Sequence, residues 1–140
     1  KIPKPSILSE RDNNFLQNLK NEIPKLIQLM NEQELNAYIK KVVAYSFDAN
    51  KYFNDSEPWA LKKTDTNRMN TIMFTIVEQI KNISILLNPI IPKATNKILD
   101  IINIPIKDRN IESIKKNNIL NHALYLKKVE ILFAKVENDH

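Results

Sequence analysis

The sequence predicts an all-α fold, an antiparallel helical bundle ending in an irregular tail. Three observations carry this reading. Over two long stretches, residues 32–54 and 66–87, apolar side chains recur at the spacing of four and three that keeps them on one helix face. The prolines fall where such stretches begin, break or stop, as a residue without an N–H and with a fixed φ must. The connectors between the stretches are short, so helices adjacent in sequence pack as antiparallel neighbours.

Residues 1–8 read as an extended lead-in, because Pro3 and Pro5 deny helix donors. Ser9 is the expected N-cap, with Asp12 three residues on as a variant capping box. A helix follows from Glu10 to about Met30, kinked or split by Pro24. Residues 32–54 form the clearest helix, with Leu35, Ile39, Val42, Ser46, Ala49 and Phe53 on its inward face. Asp55 or Ser56 closes it, and Pro58 suits the first turn of a short helix holding Trp59, Ala60 and Leu61. In residues 66–87, Met69, Met73, Ile76, Ile80, Ile83 and Leu87 form a bundle seam. Pro89 and Pro92 stop that helix, and Pro92 opens another over 93–102 with Ala94, Ile98, Ile101 and Ile102 inward. A short helix is expected at 110–116 and an irregular tail over 117–140.

Composition excludes several kinds of chemistry. The chain has no glycine, so Gly-rich phosphate loops, dinucleotide fingerprints and nucleophile elbows are absent. It has no cysteine, hence no disulfide and no thiolate. Imidazole comes only from His122, which reads as structural, and from the last residue, His140, so no zinc site is expected. Nothing assembles a nucleophile, an oriented base and an oxyanion hole, so no catalytic residue is assigned. No apolar run is long enough to span a membrane, and the opening Lys1-Ile2-Pro3-Lys4-Pro5 lacks a signal peptide's apolar stretch. The net charge is +5. Residues 1–60 balance at eight basic and eight acidic side chains, and residues 61–140 carry thirteen against eight, so the excess begins just after Trp59. That suits a polyanionic partner. A Lys-, Asn- and Ile-rich composition would also produce it without one.

The only tryptophan therefore needs an explanation. In "NDSEPWALKK", residues 54–63, Trp59 follows a proline and precedes two lysines. It could anchor the core at a helix start, or present a flat face to a nucleic-acid base.

The wider segment "DANKYFNDSEPWALKK" (48–63) resembles the anticodon-binding domain of bacterial methionyl-tRNA synthetases, which reads Ala-Asn-x-Tyr, a spacer, then Pro-Trp. Here those residues are Ala49, Asn50, Tyr52, Pro58 and Trp59. The opening "KIPKPSILSERD", the junction "ILLNPIIPKATNKILDII" (85–102) and the tail "LKKVEILFAKVE" (126–137) are similar to further family segments, in family order. The tail departs from the pattern at Ile131 and Ala134, where the family has prolines. Class I synthetases for Ile, Val, Leu and Cys share the helical domain, but the Asn-x-Tyr…Pro-Trp element and the tail favour Met.

The resemblance implies a tRNA-binding module that recognises the CAU anticodon of tRNA-Met. Trp59, fixed by Pro58, would stack on the first anticodon base, since splayed bases are read by stacking and edge hydrogen bonds. Asn50 is assigned with them, either on a base or, the favoured role, bonded to the turn that carries Trp59. Tyr52 reads as core with a satisfied hydroxyl, and Lys62 and Lys63 as contacts to phosphates. The resemblance further implies a parent methionine–tRNA ligase in the cytoplasm, using ATP with magnesium, methionine and in some members zinc. None of these is held by this chain, which would be inactive alone. Residues 1–120 would be the bundle without the family's first helix, and 121–140 a tail packing toward the catalytic domain. Self-association through the groove of the missing helix is expected. The rival readings are the same domain from another class I synthetase, and a protein–protein bundle with no RNA role. A buried Trp59 would favour the last.

Overall fold

The structure is a computed structural model that describes residues 8–115, and the regular secondary structure of those residues is helical. Helix α1 spans Glu10–Asn21, α2 Ile23–Asn31, α3 Leu35–Ser56, α4 Thr66–Leu87, α5 Pro92–Ile101 and α6 Ile111–Lys115. Single 3-10 turns occupy Pro58–Leu61 and Ile106–Asp108. The expected tail over 117–140, with His122, lies outside the described residues.

Local chemistry accounts for the boundaries. The Ser9 hydroxyl accepts from the Asp12 N–H at 3.2 Å, and the Asp12 carboxylate accepts from the Ser9 N–H at 3.0 Å, so the capping box is complete. The expected helix over 10–30 is split. It breaks at Glu22, and Pro24 sits in the first turn of α2, where its missing N–H costs nothing. Helix α3 starts at Leu35, after Gln33 has turned into the left-handed region at φ 59°.

The chain runs up through α1 and α2, down α3 and up α4. The Tyr38 hydroxyl near the start of α3 donates to the Leu86 carbonyl near the end of α4, at 2.5 Å. At the other end, Tyr52 packs with Ile72 and Ile76. Helices α3 and α4 are therefore antiparallel. Two apolar clusters form the interior. The larger joins α2, α3, α4, α5 and α6 through residues such as Leu26, Val42, Phe74, Leu86, Leu99 and Ile114. The smaller gathers Phe15, Phe53, Leu61 and Ile80 around Tyr52, Ile72 and Ile76.

Two inward faces differ from those the sequence predicts. On α3 the buried residues are Tyr38, Val42, Tyr45 and Tyr52, while Leu35 is 46% exposed and Ile39 and Phe53 are half-buried. The inward face is rotated toward the tyrosines because each hydroxyl finds an acceptor: Tyr38 on Leu86, Tyr45 on Glu22 and Tyr52 on Asp12. On α5 the buried residues are Thr95 and Leu99, with Ile102 just beyond, while Ala94, Ile98 and Ile101 are exposed. Here the Asn88 amide donates to Thr95 and Asn96, and the Thr95 hydroxyl donates to the Ile91 carbonyl, turning the threonine inward. On α4 the predicted seam is part of a larger burial. From Asn70 to Leu86 every residue except Met73 and Ile80 is buried, so α4 is the central helix.

Candidate nucleic-acid interface

Helix α3 ends in a joint that turns one aromatic outward. Glu57, at φ 46° and ψ 56°, takes the left-handed position usually given to glycine, and its N–H donates to the Phe53 carbonyl at 3.2 Å. Pro58 then opens the 3-10 turn and is itself buried. Leu61, at the end of the turn, packs against the Tyr52–Ile72–Ile76 cluster. Trp59 between them is 57% exposed. Its ring leans on Phe53, with centroids 5.6 Å apart and planes tilted by 55°. Two inward anchors and an aromatic backing thus hold an outward, solvent-facing indole.

Lys62 and Lys63 follow directly and are exposed. Asn50 is exposed on α3, three residues before Phe53. The bond expected from Asn50 to the turn is not among those of the described residues. The joint closes on its own backbone, with Ala60 N–H to Glu57 carbonyl at 3.0 Å and Asp65 N–H to Leu61 carbonyl at 2.9 Å.

Beneath the joint lies a polar knot. Asp12, on α1, is 0% exposed. Its carboxylate accepts two bonds from the Arg68 guanidinium, at 2.6 and 2.9 Å, and one from the Tyr52 hydroxyl at 2.5 Å. The Ser9 N–H supplies a further donor. Burial alone would raise the Asp12 pKa. The donors Arg68, Tyr52 and Ser9, with the Arg68 charge, outweigh it and bring the carboxyl down to about 2. Tyr52 shifts upward, first by burial and then by its bond to Asp12. Its ring stacks on Phe15 at 4.3 Å, nearly parallel, and the Arg11 guanidinium lies 5.2 Å from the ring centroid. Tyr52 is thus a core residue with a satisfied hydroxyl, as expected. Asp65 caps α4 by accepting from the Arg68 N–H at 3.0 Å.

Sequence reasoning missed this knot and the outer face of α3. Asp12 and Arg68 are far apart in the chain, and no local pattern pairs them. Phe47 is 69% exposed, and with Leu35 and Val43 it forms an apolar stripe along α3. An open groove of about 670 Å³ runs between α1 and α3, edged by Arg11, Asn14, Asp48, Lys51 and Asp55. Its mixed charge gives no pull on a polyanion. No group of His, Cys, Asp or Glu among the described residues could hold a metal, and no glycine loop offers a nucleotide cradle. No described helix is long and apolar enough to cross a membrane.

The described residues thus form a helical bundle that presents Trp59 on a pinned joint, with two exposed lysines beside it. The family model for the anticodon binding domain of methionyl tRNA ligase matches residues 2–140, and the chain belongs to that family. The methionine–tRNA ligase of Brucella suis biovar 1 (strain 1330) is 32% identical over 114 residues, which take in 81% of this chain and 22% of that protein. The methionine–tRNA ligase of Rickettsia felis (strain ATCC VR-1525 / URRWXCal2) is 31% identical over 113 residues, again 81% of this chain and 22% of the relative. The chain thus spans about a fifth of the length of these relatives. Among solved structures, the apo form of Mycobacterium tuberculosis methionyl-tRNA synthetase has the same fold over 81% of this chain and 24% of that one, with a TM-score of 0.75 at 22% identity.

Proposed function

We propose that this domain reads the CAU anticodon of tRNA-Met and holds that tRNA for the catalytic domain of a methionine–tRNA ligase, in the cytoplasm. The single observation that carries the reading is the exposed Trp59, held between buried Pro58 and the inward Leu61 in a member of the anticodon-binding family. An anticodon is single-stranded, and a base stacked on an aromatic gains about 1–3 kcal/mol. Trp59 is assigned to the first anticodon base. Pro58 fixes its backbone, and Asn50 lies on the same end of α3 to reach a base edge. Lys62 and Lys63 meet phosphates, which position the RNA without specifying its sequence. ATP, magnesium, methionine and zinc belong to other parts of the enzyme.

The test is a titration of the 140-residue chain with stem-loops carrying CAU or a scrambled triplet at two salt concentrations, read by the anisotropy of a fluorophore on the RNA and, in the parent, also by Trp59 fluorescence. Quenching by the CAU loop is expected, with affinity falling as salt rises. Trp59→Ala should leave the melting temperature nearly unchanged and weaken the CAU loop by roughly 5- to 100-fold, the equivalent of one stacked base. Normal binding by the variant, or its unfolding, would remove Trp59 from the interface. The exposed stripe of Leu35, Val43 and Phe47 supports a second, protein-facing role for α3. It accepts a further helix of the longer protein or, in the isolated chain, another copy, which sedimentation at increasing concentration detects.

A further inference from the structure

The polar knot under the Trp59 joint has a geometry that packing alone does not require. The joint is a loop with two ends. Tyr52 lies on the last turns of α3, just before the joint, and Arg68 lies on the first turn of α4, just after it. Both end on one carboxylate oxygen: the Tyr52 hydroxyl and an Arg68 nitrogen reach Asp12 Oδ1 at 2.5 and 2.9 Å. The carboxylate comes from a third element, α1, where the capping box with Ser9 sets its backbone. Three helices are therefore tied at a single point directly beneath residues 53–67.

We propose that the Asp12–Tyr52–Arg68 knot is the positioning device for the Trp59 platform, a reading that rests on the anticodon-binding role proposed above. The coupling runs through neighbours. Phe53, next to Tyr52 in the chain, backs the indole. Leu61 packs into the cluster that Tyr52 heads. Asp65, three residues before Arg68, caps α4 and closes the far side of the joint. Glu57 is held at positive φ within the same loop, a conformation that persists for a non-glycine residue only when its surroundings impose it. If the ends of the loop were released, Glu57 would have reason to relax and the indole would swing. A base-stacking surface must instead wait in place, since every freedom lost on binding weakens the complex.

Trp59 is the only tryptophan, so its fluorescence reports on this joint alone. The experiment uses Tyr52→Phe, which keeps the stack on Phe15 and deletes only the hydroxyl, and Arg68→Lys, which keeps the charge and loses the two-pronged geometry. Ile102→Val, in the other apolar cluster, is the control for a general loss of stability. Three readouts are compared well below the melting temperature: helical circular dichroism, the nanosecond anisotropy decay of Trp59, and affinity for the CAU stem-loop. Both knot variants should keep their helical signal, show at least a doubling of the fast anisotropy amplitude, and bind the loop several-fold more weakly with an unchanged salt slope. The control should change none of these. The proposal is overturned if Trp59 is as rigid in Tyr52→Phe and Arg68→Lys as in the parent, or if Ile102→Val loosens it equally. A parent chain that fails to bind the CAU loop sinks the anticodon reading, while the anisotropy comparison still judges the clamp.

Discussion

Asp12 shows how much a single carboxylate can hold. It is buried, yet three donor residues, one of them the charged Arg68, keep it ionised, with its pKa brought from 3.8 down to about 2. A group whose folded pKa is depressed stabilises the fold above its unfolded pKa, and that stability is lost as the pH falls through the folded value. Stability from this site is therefore complete above about pH 4 and disappears toward pH 2, in all roughly 2 kcal/mol. Urea melts between pH 5 and 2 should show this slope, and Asp12→Asn should flatten it. The variant also leaves Arg68 without its counter-charge and should be less stable at neutral pH by about 2–4 kcal/mol, towards the lower side of a broken buried pair because Arg68 keeps some solvent. The sequence announced half of this residue. Its capping box with Ser9 was legible because the partners sit three apart; the bonds to Tyr52 and Arg68 were not, because only the fold brings those residues together.

The helices were legible and their faces less so. Proline positions and four-three spacing located all five long helices, and the split near Pro24, because these are local effects of backbone chemistry. Orientation failed where polar atoms decide it. Tyrosine buries as a hydrophobe once its hydroxyl has an acceptor, so α3 turns toward Tyr38, Tyr45 and Tyr52 rather than toward Leu35. Thr95 displaces Ala94 and Ile98 from the inside of α5 for the same reason. At the joints, the absence of glycine forces other residues into positive φ: Gln33 at 59°, Glu57 at 46° and Asn103 at 62°. A side chain in that region costs about 1–2 kcal/mol, and asparagine tolerates it best. Glu57→Gly should therefore raise stability by roughly 0.5–1 kcal/mol after the added freedom of the unfolded glycine is subtracted, and Asn103→Gly should raise it less. Chemical denaturation of the two variants measures the difference. The candidate site divides similarly. Pro58, Trp59 and the two lysines stand together in the sequence, whereas the joint's support comes from α1 and α4.

For the whole molecule, the decisive element is α4, which carries charge into the interior. Glu78 and Lys81 pair within it at 3% and 5% side-chain exposure. The Glu78 Oε2 and Asn82 Oδ1 atoms there have no hydrogen-bond partner among the described residues. Lys20, from α1, is lowered chiefly by burial, with Glu78 pulling it up and Lys81 pushing it down. Such a pair contributes little net stability when both members are present, but breaking it strands a buried charge. Glu78→Gln should cost about 3 kcal/mol, whereas Glu78→Leu combined with Lys81→Met should stay within about 1 kcal/mol of the parent, because Lys20 then loses one attraction and one repulsion together. Thermal melts of the two proteins decide it.

The burial of α4 on nearly every side also sets a clock. A helix wrapped by α1, α3, α5, α6 and the Pro58–Leu61 turn, with only the edge at Met73 and Ile80 partly open along its middle, cannot open its central amides to water by local fraying. Deuterium should enter its middle, around Val77 to Ile83, only when the entire bundle comes apart, at a rate that reports the global free energy. The outward-facing amides of the Trp59 joint should label orders of magnitude sooner. The proposed recognition joint is thus quick-exchanging backbone seated against the slowest.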